Sequence, residues 1–379
     1  MGGMTEVMIL GAGFGGLELA TLLSERLEGE ADVTIVDQAD AFVFGFSKLD
    51  VLVGRRTSDE VRLPYARFGK PGVEFRRERV LEVDPASRRV VTDAATYDPD
   101  VLVVALGAGY DVAATPGFAE GGFEYYSVEG AERLRDRLAG FGGGRVMIAV
   151  LSIPFKCPPA PYEGALLIHD ALVARGVRDA SSIHVVTPQP SPIPVSPAAS
   201  SALEDAMAAR GIEYTKRRRV YGIDPGSRTA NYKDHDEPYD LFIGIPVHRV
   251  PEVLVAAGLT EEGWVAVDPL TYETRFPGVY AIGDCAESGI PKAGTFAESA
   301  ARVVAAQIVR QVRGTGETEP GGDGLCFLEF GDGRVGRVDV DFRAPGGPTA
   351  PLLGPDRAYA AEKAEFGAVR RERWFGSRA

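Results

Sequence analysis

The distribution of apolar residues near the start of the chain predicts a strand, a helix and a second strand. Residues 6–10 form a short apolar run of strand length, and leucines recur at helical spacing from Leu17 to Leu27. A β-branched run over residues 33–36 then ends at Asp37. Because a glycine-rich turn separates the first run from the leucine pattern, the order is that of a complete βαβ unit.

The same kinds of pattern predict further elements along the chain. The expected strands are residues 101–105, 145–150, 183–186 and 278–281, and the expected helices are 162–174, 202–210, 295–312 and 356–375. We expect a loop over the Pro- and Ser-rich residues 187–200, because closely spaced prolines resist helix formation. A Gly-rich linker over 314–324 leads into alternating patterns at 325–330 and 335–342, which indicate a hairpin across Gly331-Asp332-Gly333.

Charge and composition narrow the classes of partner. The formal net charge of -13 argues against nucleic acid, because phosphate binding requires a basic surface. No run reaches the roughly 20 apolar residues that cross a bilayer, and the N-terminus enters a strand without a cleavable leader, so we expect a cytoplasmic protein. The three cysteines and four histidines have no metal-ligand spacing, and we predict no metal site.

The glycine-rich turn after the first strand has the residues that a dinucleotide needs. Gly11, Gly13 and Gly16 allow the backbone to approach a pyrophosphate at the start of a helix. Asp37, at the end of the second strand, is placed to accept hydrogen bonds from a ribose. This unit predicts dinucleotide binding, although by itself it does not distinguish FAD from NAD.

A second motif favours FAD. Residues 278–284, which end in Gly283-Asp284, resemble the second flavin motif of the two-dinucleotide-domain flavoproteins, in which the aspartate meets the ribityl chain. The complete set of residues expected to contact the cofactor is Gly11, Gly13, Phe14, Gly15, Gly16, Asp37, Gln38, Lys48, Val80, Ala105, Leu106, Gly107, Gly283, Asp284, Lys292, Ala293, Gly294 and Phe296. Residues 41–47 contain no cysteine for covalent attachment, so we expect non-covalent FAD.

The middle of the chain lacks the glycine motif of an NAD(P)H site. After the strand at 145–150, residues 151–163 place prolines and bulky side chains where the backbone would have to approach a pyrophosphate. We therefore expect a reductant other than a tightly bound nicotinamide dinucleotide.

Lys156-Cys157-Pro158-Pro159-Ala160-Pro161-Tyr162-Glu163 resembles the signature of sulfide:quinone oxidoreductases and of the flavoprotein subunit of flavocytochrome c sulfide dehydrogenase. The resemblance covers most of the chain and places Cys326 at the family's second cysteine. It implies sulfide oxidation through the two cysteines, with Cys326 facing the flavin, Cys157 carrying a persulfide, and electrons passing to a quinone. We expect Lys156, next to Cys157, to lower the thiol pKa and Glu163 to carry protons. By analogy with the family, Lys292 lies near the flavin ring.

The implied fold is α/β, with two Rossmann-like dinucleotide-binding domains arranged as in glutathione-reductase-like flavoproteins and a C-terminal β-hairpin and helix segment. The expected boundaries are 1–112 for the first part of the FAD domain, 113–245 for the second domain, 246–315 for the second part of the FAD domain, and 316–379 for the C-terminal segment.

Two departures from the family leave alternatives open. Residues 123–127 contain no third cysteine such as many quinone-linked members have, and the tail over residues 358–379 has only a modest apolar face. That face is typical of packing against its own domain, with Arg370, Arg371, Arg373 and Arg378 as an alternative contact to anionic lipid. Membrane contact is then at most peripheral, at the inner face of the cell membrane, and a homodimer stays open. The alternative functions are a flavin oxidoreductase of the type II NADH dehydrogenase kind and a non-catalytic redox-sensing flavoprotein.

Overall fold

The computed structural model describes residues 4–376 of the 379-residue chain. Within this range the α-helices are α1 (Phe14–Leu27), α2 (Ser47–Leu52), α3 (Ser58–Val61), α4 (Phe118–Gly121), α5 (Val128–Ala139), α6 (Ala160–Ala174), α7 (Pro197–Ala208), α8 (Glu252–Ala256), α9 (Gly294–Arg313) and α10 (Ala358–Phe375).

The strands of the same described range fall into small sheets. In chain order they are β1 (Thr5–Leu10), β2 (Ala31–Asp37), β3 (Ala41–Val43), β4 (Arg62–Pro64), β5 (Val73–Arg77), β6 (Val80–Asp84), β7 (Arg89–Thr92), β8 (Thr96–Tyr97), β9 (Val101–Val104), β10 (Gly109–Asp111), β11 (Gly144–Val150), β12 (Ser181–Thr187), β13 (Ile212–Lys216), β14 (Gly222–Asp224), β15 (Thr229–Asn231), β16 (Asp236–Pro238), β17 (Leu241–Ile245), β18 (Val247–Arg249), β19 (Thr260–Glu261), β20 (Trp264–Ala266), β21 (Val279–Ala281), β22 (Ala286–Glu287), β23 (Asp323–Glu329), β24 (Val335–Asp341) and β25 (Leu352–Asp356).

Two parallel sheets form the two dinucleotide-binding units. The first has the strand order β21-β9-β1-β2-β5 and the second the order β13-β12-β11-β17. Their central strands are apolar and almost fully buried, as expected of parallel strands covered by helices on both faces. The predicted α/β fold class is therefore confirmed. Strands β5, β13 and β17 of these sheets lie outside the predicted strand segments, and the domain boundaries stay a prediction.

The predicted loop over residues 187–200 is wrong in its last residues. Helix α7 begins at Pro197, inside that segment, because Ser196 caps it and accepts a hydrogen bond from the Ala199 N–H. Proline at the first helical position costs nothing, since its missing N–H would have no partner there. The prolines up to Pro194 lie in the loop as predicted, and only Pro197 marks the start of the helix.

The C-terminal segment packs over both units as a three-stranded antiparallel sheet and a helix. The predicted hairpin is confirmed as β23 and β24, whose register pairs Cys326 with Val338. A third strand that the pattern did not predict, β25, continues this sheet. Helix α10 then returns to the first unit, where Trp374 and Phe375 are buried.

Candidate functional site

A cavity of about 330 Å³ lies where the first unit, the second unit and the C-terminal segment meet. Most of the predicted site residues line it. They are Gly13, Phe14, Gly15, Lys48, Ala105, Gly107, Lys156, Cys157, Gly283, Asp284, Lys292, Ala293, Gly294 and Cys326. The structure thus brings together residues from both flavin motifs and the two cysteines.

The remaining predicted residues do not line the cavity. These are Gly11, Gly16, Asp37, Gln38, Val80, Leu106, Glu163 and Phe296. The ring of Phe296 instead packs edge-on against Phe342 in the core, with centroids 5.5 Å apart. Val80 and Leu106 are partly buried against the hydrophobic cluster that includes Leu102 of β9 and Val279 of β21. Their predicted contacts with a cofactor remain predictions.

The turn between β1 and α1 is built so closely that two of its glycines cannot be replaced. Gly11 has a φ of +105°, and a Cβ there would lie 2.3 Å from the carbonyl oxygen of Ala105. A Cβ on Gly16 would lie 1.9 Å from the carbonyl oxygen of Gly11. By contrast, a Cβ on Gly13 would meet nothing within 4 Å and would project into open space. Gly11 and Gly16 therefore close the turn, whereas Gly13 leaves open space above it.

The N-terminus of α1 presents unsatisfied backbone donors at this open space. No side chain caps the helix at Gly13, and its first turn carries no acidic residue. The carboxylate of Asp37 accepts hydrogen bonds from the N–H groups of Ala12 (2.8 Å) and Ala39 (2.9 Å), which tie it to the turn. Free N–H groups and a positive helix end suit a pyrophosphate, so these residues fit a dinucleotide.

A second helix N-terminus faces the same cavity. Helix α9 starts at Gly294, has no side-chain cap at Ala293 and has no acidic residue in its first turn. A Cβ on Gly294 would lie 2.7 Å from the ring of Phe14, so the two helix starts are in close contact. A negative charge that develops between them would be stabilised by both dipoles.

The two cysteines of the cavity come from unrelated elements. Cys157 lies in the loop between β11 and α6, the place where an NAD(P)H-binding unit has its glycine turn. Its N–H donates to the carbonyl of Lys292 (2.9 Å), and its own carbonyl accepts from the Ala160 N–H (3.0 Å). Cys326 lies on β23, and both thiols are free. Cys285 is also free but is fully buried in a different cluster.

Burial keeps both cavity thiols protonated. It raises the pKa of Cys326 to about 12, with the Glu163 carboxylate adding to the effect. The pKa of Cys157 is also raised well above its ordinary value, first by burial and then by Glu163 and Cys326. The cation that opposes this at Cys157 is Lys48, whereas the sequence pointed to Lys156.

Three lysines bring positive charge to the cavity in different ways. Burial and the charge of Lys156 lower the pKa of Lys48 to about 8. The Lys156 ammonium donates to the carbonyl of Ala108 (3.0 Å) and lies over the ring of Tyr110. The Lys292 ammonium donates to the Ala286 carbonyl (3.0 Å) and lies 3.7 Å from the ring centroid of Trp264.

Glu163 lies behind the cysteines in the first turn of α6. Its side chain is 2% exposed, and one carboxylate oxygen accepts the backbone N–H of Glu329 at 2.9 Å. Burial raises the pKa of Glu163 to about 7, against the lowering effect of Lys363. A carboxyl group that titrates near neutrality can take up and release protons under physiological conditions.

The sequence did not point to the aromatic wall of the cavity. Phe46, Phe327 and Phe366 line it together with Tyr65, Tyr125 and Tyr126. The ring centroid of Phe366 lies 6.1 Å from that of Phe46 and 5.7 Å from that of Phe327. One signal was available: Phe327 directly follows Cys326, and Phe46 ends the run Phe42-Val43-Phe44-Gly45-Phe46.

Comparison with known proteins places this geometry in a family. The profile described as pyridine nucleotide-disulphide oxidoreductase matches residues 5–301, well over half of the chain. The chain belongs to this family. It is a flavin-dependent oxidoreductase, and its resemblance to the sulfide:quinone oxidoreductases is confirmed.

Three relatives show how far the similarity extends. The mitochondrial sulfide:quinone oxidoreductase of Mus musculus is 28% identical over 316 residues, which cover 78% of this chain and 68% of that protein. An NADH dehydrogenase-like protein of Mycobacterium tuberculosis is 29% identical over 301 residues, which cover 75% of this chain and 73% of that protein. The crystal structure of the sulfide:quinone oxidoreductase of Aquifex aeolicus has the same fold, with a TM-score of 0.86 at 22% identity, covering 97% of this chain and 91% of that one.

Residues 4–376 of the flavoenzyme contain neither a membrane-spanning helix nor a metal-binding cluster. No helix in that range is long and apolar enough to cross a membrane. The same residues contain no cluster of three or more His, Cys, Asp or Glu side chains placed to hold a metal ion.

Proposed function

We propose that this flavoenzyme oxidises sulfide, or a related sulfur species, through Cys157 and Cys326 beside a non-covalently bound FAD, and passes the electrons to a quinone. The observation that carries the proposal is the position of the two cysteines. They are 326 − 157 = 169 residues apart in sequence, yet both line the cavity that Gly13, Gly283 and Asp284 also line. The names of the mouse and Aquifex relatives describe the same reaction.

The proposed reaction starts from a disulfide between Cys157 and Cys326. Hydrosulfide attacks Cys157, the S–S bond breaks, and a persulfide at Cys157 and a thiolate at Cys326 result. A second hydrosulfide removes the outer sulfur as hydrodisulfide and leaves a thiol at Cys157. Closing the disulfide again releases one proton and two electrons. Bound FAD supplies the two-electron acceptor, so the sum is two HS⁻ giving HSS⁻, one H⁺ and two electrons.

The residues around the cysteines support this chemistry. Burial raises the pKa of both thiols, so the thiolate left at Cys326 takes up a proton, and re-forming the disulfide then requires a base. Glu163 is the buried carboxylate whose charge acts on both cysteines, and with a pKa of about 7 it can accept the thiol proton. The Lys48 charge stabilises the thiolate at Cys157 once the proton has left.

The aromatic wall supports a quinone as the final acceptor. Phe46, Phe327 and Phe366 form an apolar surface on the cavity, and Phe327 is the residue next to Cys326. A flat, apolar ring such as a quinone stacks favourably on such side chains.

Anaerobic titration with sulfide tests the proposal. We expect sulfide to bleach the bound flavin of the wild-type protein, and neither Cys157→Ala nor Cys326→Ala to be bleached at a comparable rate. Cys285→Ala is the matched control, since that thiol lies in a separate buried cluster, and it should be bleached like wild type. If sulfide leaves the wild-type flavin oxidised, the proposed reaction is wrong.

A second candidate, NADH oxidation, is favoured by the similarity to the mycobacterial NADH dehydrogenase-like protein. The loop between β11 and α6 argues against NADH oxidation, because this loop contains prolines and Cys157 where the glycine turn of a nucleotide site would lie. Rapid reduction of the flavin by NADH, equal in wild type and Cys157→Ala, would replace the sulfide proposal with this one. Reduction by neither donor would favour the redox-sensing alternative.

A further inference from the structure

Behind the cavity lies a buried ion pair that the proposed sulfur chemistry does not itself use. The Lys363 ammonium on α10 lies 2.6 Å from a carboxylate oxygen of Glu329 at the end of β23, and both side chains are less than a tenth exposed. Arg55, just after α2, reaches the same oxygen at 3.1 Å. Charges buried in this way are costly unless they are paired, so the pair calls for an explanation.

The ion pair is directly connected to the cysteine site. Glu329 is three residues beyond Cys326 on the same strand, and its backbone N–H donates to the carboxylate of Glu163. Neither Lys363 nor Glu329 lines the cavity. They therefore act on the cysteines through Glu163 and through the strand that carries Cys326, and Lys363 also lies 5.5 Å from the ring centroid of Phe46 on the cavity wall.

We propose that Lys363 and Glu329 are positioning residues of this flavoenzyme, which hold Glu163 at the cysteine pair and control its charge. The inference rests on the proposed function only where it concerns the rate of sulfide oxidation. The control of Glu163 by the ion pair stands independently of it.

The charges around Glu163 give the proposal a definite sign. The titratable groups that face it from the neighbouring elements are Lys363 on α10, Glu329 and Cys326 on β23, Cys157 in the loop before α6, and Tyr125 and Tyr126 before α5. The Lys363 charge lowers the pKa of Glu163, and the Glu329 charge raises it. Removing one or the other should move the titration of Glu163 in opposite directions, whereas loss of a merely structural contact would not.

The test is an infrared titration of the holoenzyme. The carboxyl band of Glu163 is identified by its absence in Glu163→Gln and followed against pH. We expect Lys363→Met to raise the midpoint by about one pH unit and Glu329→Gln to lower it by a similar amount, as for a charge within a few ångströms. Glu329→Gln keeps the backbone N–H to Glu163, so it isolates the effect of charge.

Three further variants separate charge from folding. Lys363→Arg keeps the positive charge and should leave the midpoint where it is in wild type. The double variant Lys363→Met/Glu329→Met removes both charges and should return the midpoint close to wild type. Glu362→Gln is the matched control. Glu362 lies on the same helix as Lys363, and its loss breaks an exposed ion pair with Arg337 on β24, which should not move the midpoint.

The pH dependence of flavin reduction by sulfide should shift in the same directions in the two single variants. Midpoints that do not move, or that move in the same direction in Lys363→Met and Glu329→Gln, overturn the inference. If the infrared midpoints shift as expected while sulfide reduces none of the proteins, the inference stands and the proposed function fails.

Discussion

Replacement of Trp374 by alanine should reveal how far the last helix supports the flavin site. The Trp374 side chain is fully buried, its ring centroid lies 5.6 Å from that of Phe14, and its Nε1–H donates to Glu18 at 2.8 Å. Phe14 is the first residue of α1 and lines the cavity. The ring of Trp374 therefore supports the start of the helix that faces the cavity.

The cost follows from the volume lost and the hydrogen bond broken. Replacing a buried tryptophan by alanine costs about 3–5 kcal/mol, and a hydrogen bond to a carboxylate adds about 1.5 kcal/mol. Because Arg373 still pairs with Glu18, we expect a total of about 5 kcal/mol, or a fall of about 10 °C in the melting temperature. Freeing the Phe14 ring should also loosen α1 and weaken flavin retention.

The assay is a thermal ramp with flavin fluorescence as the signal of release, together with a direct measurement of the flavin dissociation constant. Trp374→Phe keeps an aromatic ring and should lose about 1–2 kcal/mol. Val369→Ala, on the exposed side of the same helix, should change stability by less than about 0.5 kcal/mol. A Trp374→Ala protein that melts early but retains flavin as tightly as wild type would refute the link between α10 and the cofactor site.

Three other outcomes follow from the geometry. Gly16→Ala should fail to fold or to bind flavin, because its Cβ would collide with the Gly11 carbonyl, whereas Gly13→Ala should fold normally and lower only the flavin-to-protein ratio. Burial raises the pKa of Glu163 to about 7 from 4.5, so its ionisation removes up to about 3 kcal/mol of stability as pH rises through this range. Denaturant unfolding should show that dependence in wild type and not in Glu163→Gln; equal slopes would contradict it. Phe366→Ala should raise the KM for a short-chain quinone roughly tenfold and leave flavin bleaching by sulfide unchanged; an unchanged KM would place the quinone elsewhere.

The sequence was sufficient for the parts of the fold that depend on local patterns. The βαβ unit at the start of the chain was predicted because apolar periodicity, the glycine turn and Asp37 all lie within one short stretch. The hairpin of β23 and β24 was predicted for the same reason, since its alternation and turn are adjacent. The start of α7 is not predictable from the number of prolines alone, because Pro197 follows the Ser196 cap and so begins the helix instead of preventing it.

The site was predictable only in part, because its walls come from distant segments. Residue type and family resemblance pointed to Cys157 and Cys326, but no local pattern indicates that Phe46 and Phe366 meet across the cavity. The Lys363–Glu329 pair is equally invisible in sequence, because it forms only when α10 packs on the C-terminal sheet. Contacts of this kind depend on the tertiary arrangement rather than on spacing.

The backbone of Cys157 sets the catalytic role proposed for this residue against the stability of the fold. Its φ is +54°, in the left-handed region, where any side chain other than glycine costs of order 1 kcal/mol. Hydrogen bonds through the N–H to Lys292 and through the carbonyl to Ala160 hold it there. Glycine would relieve this strain without disturbing those bonds. A Cys157→Gly protein should therefore be more stable than wild type but lack the thiol, so the cysteine lowers the stability of the fold at this position.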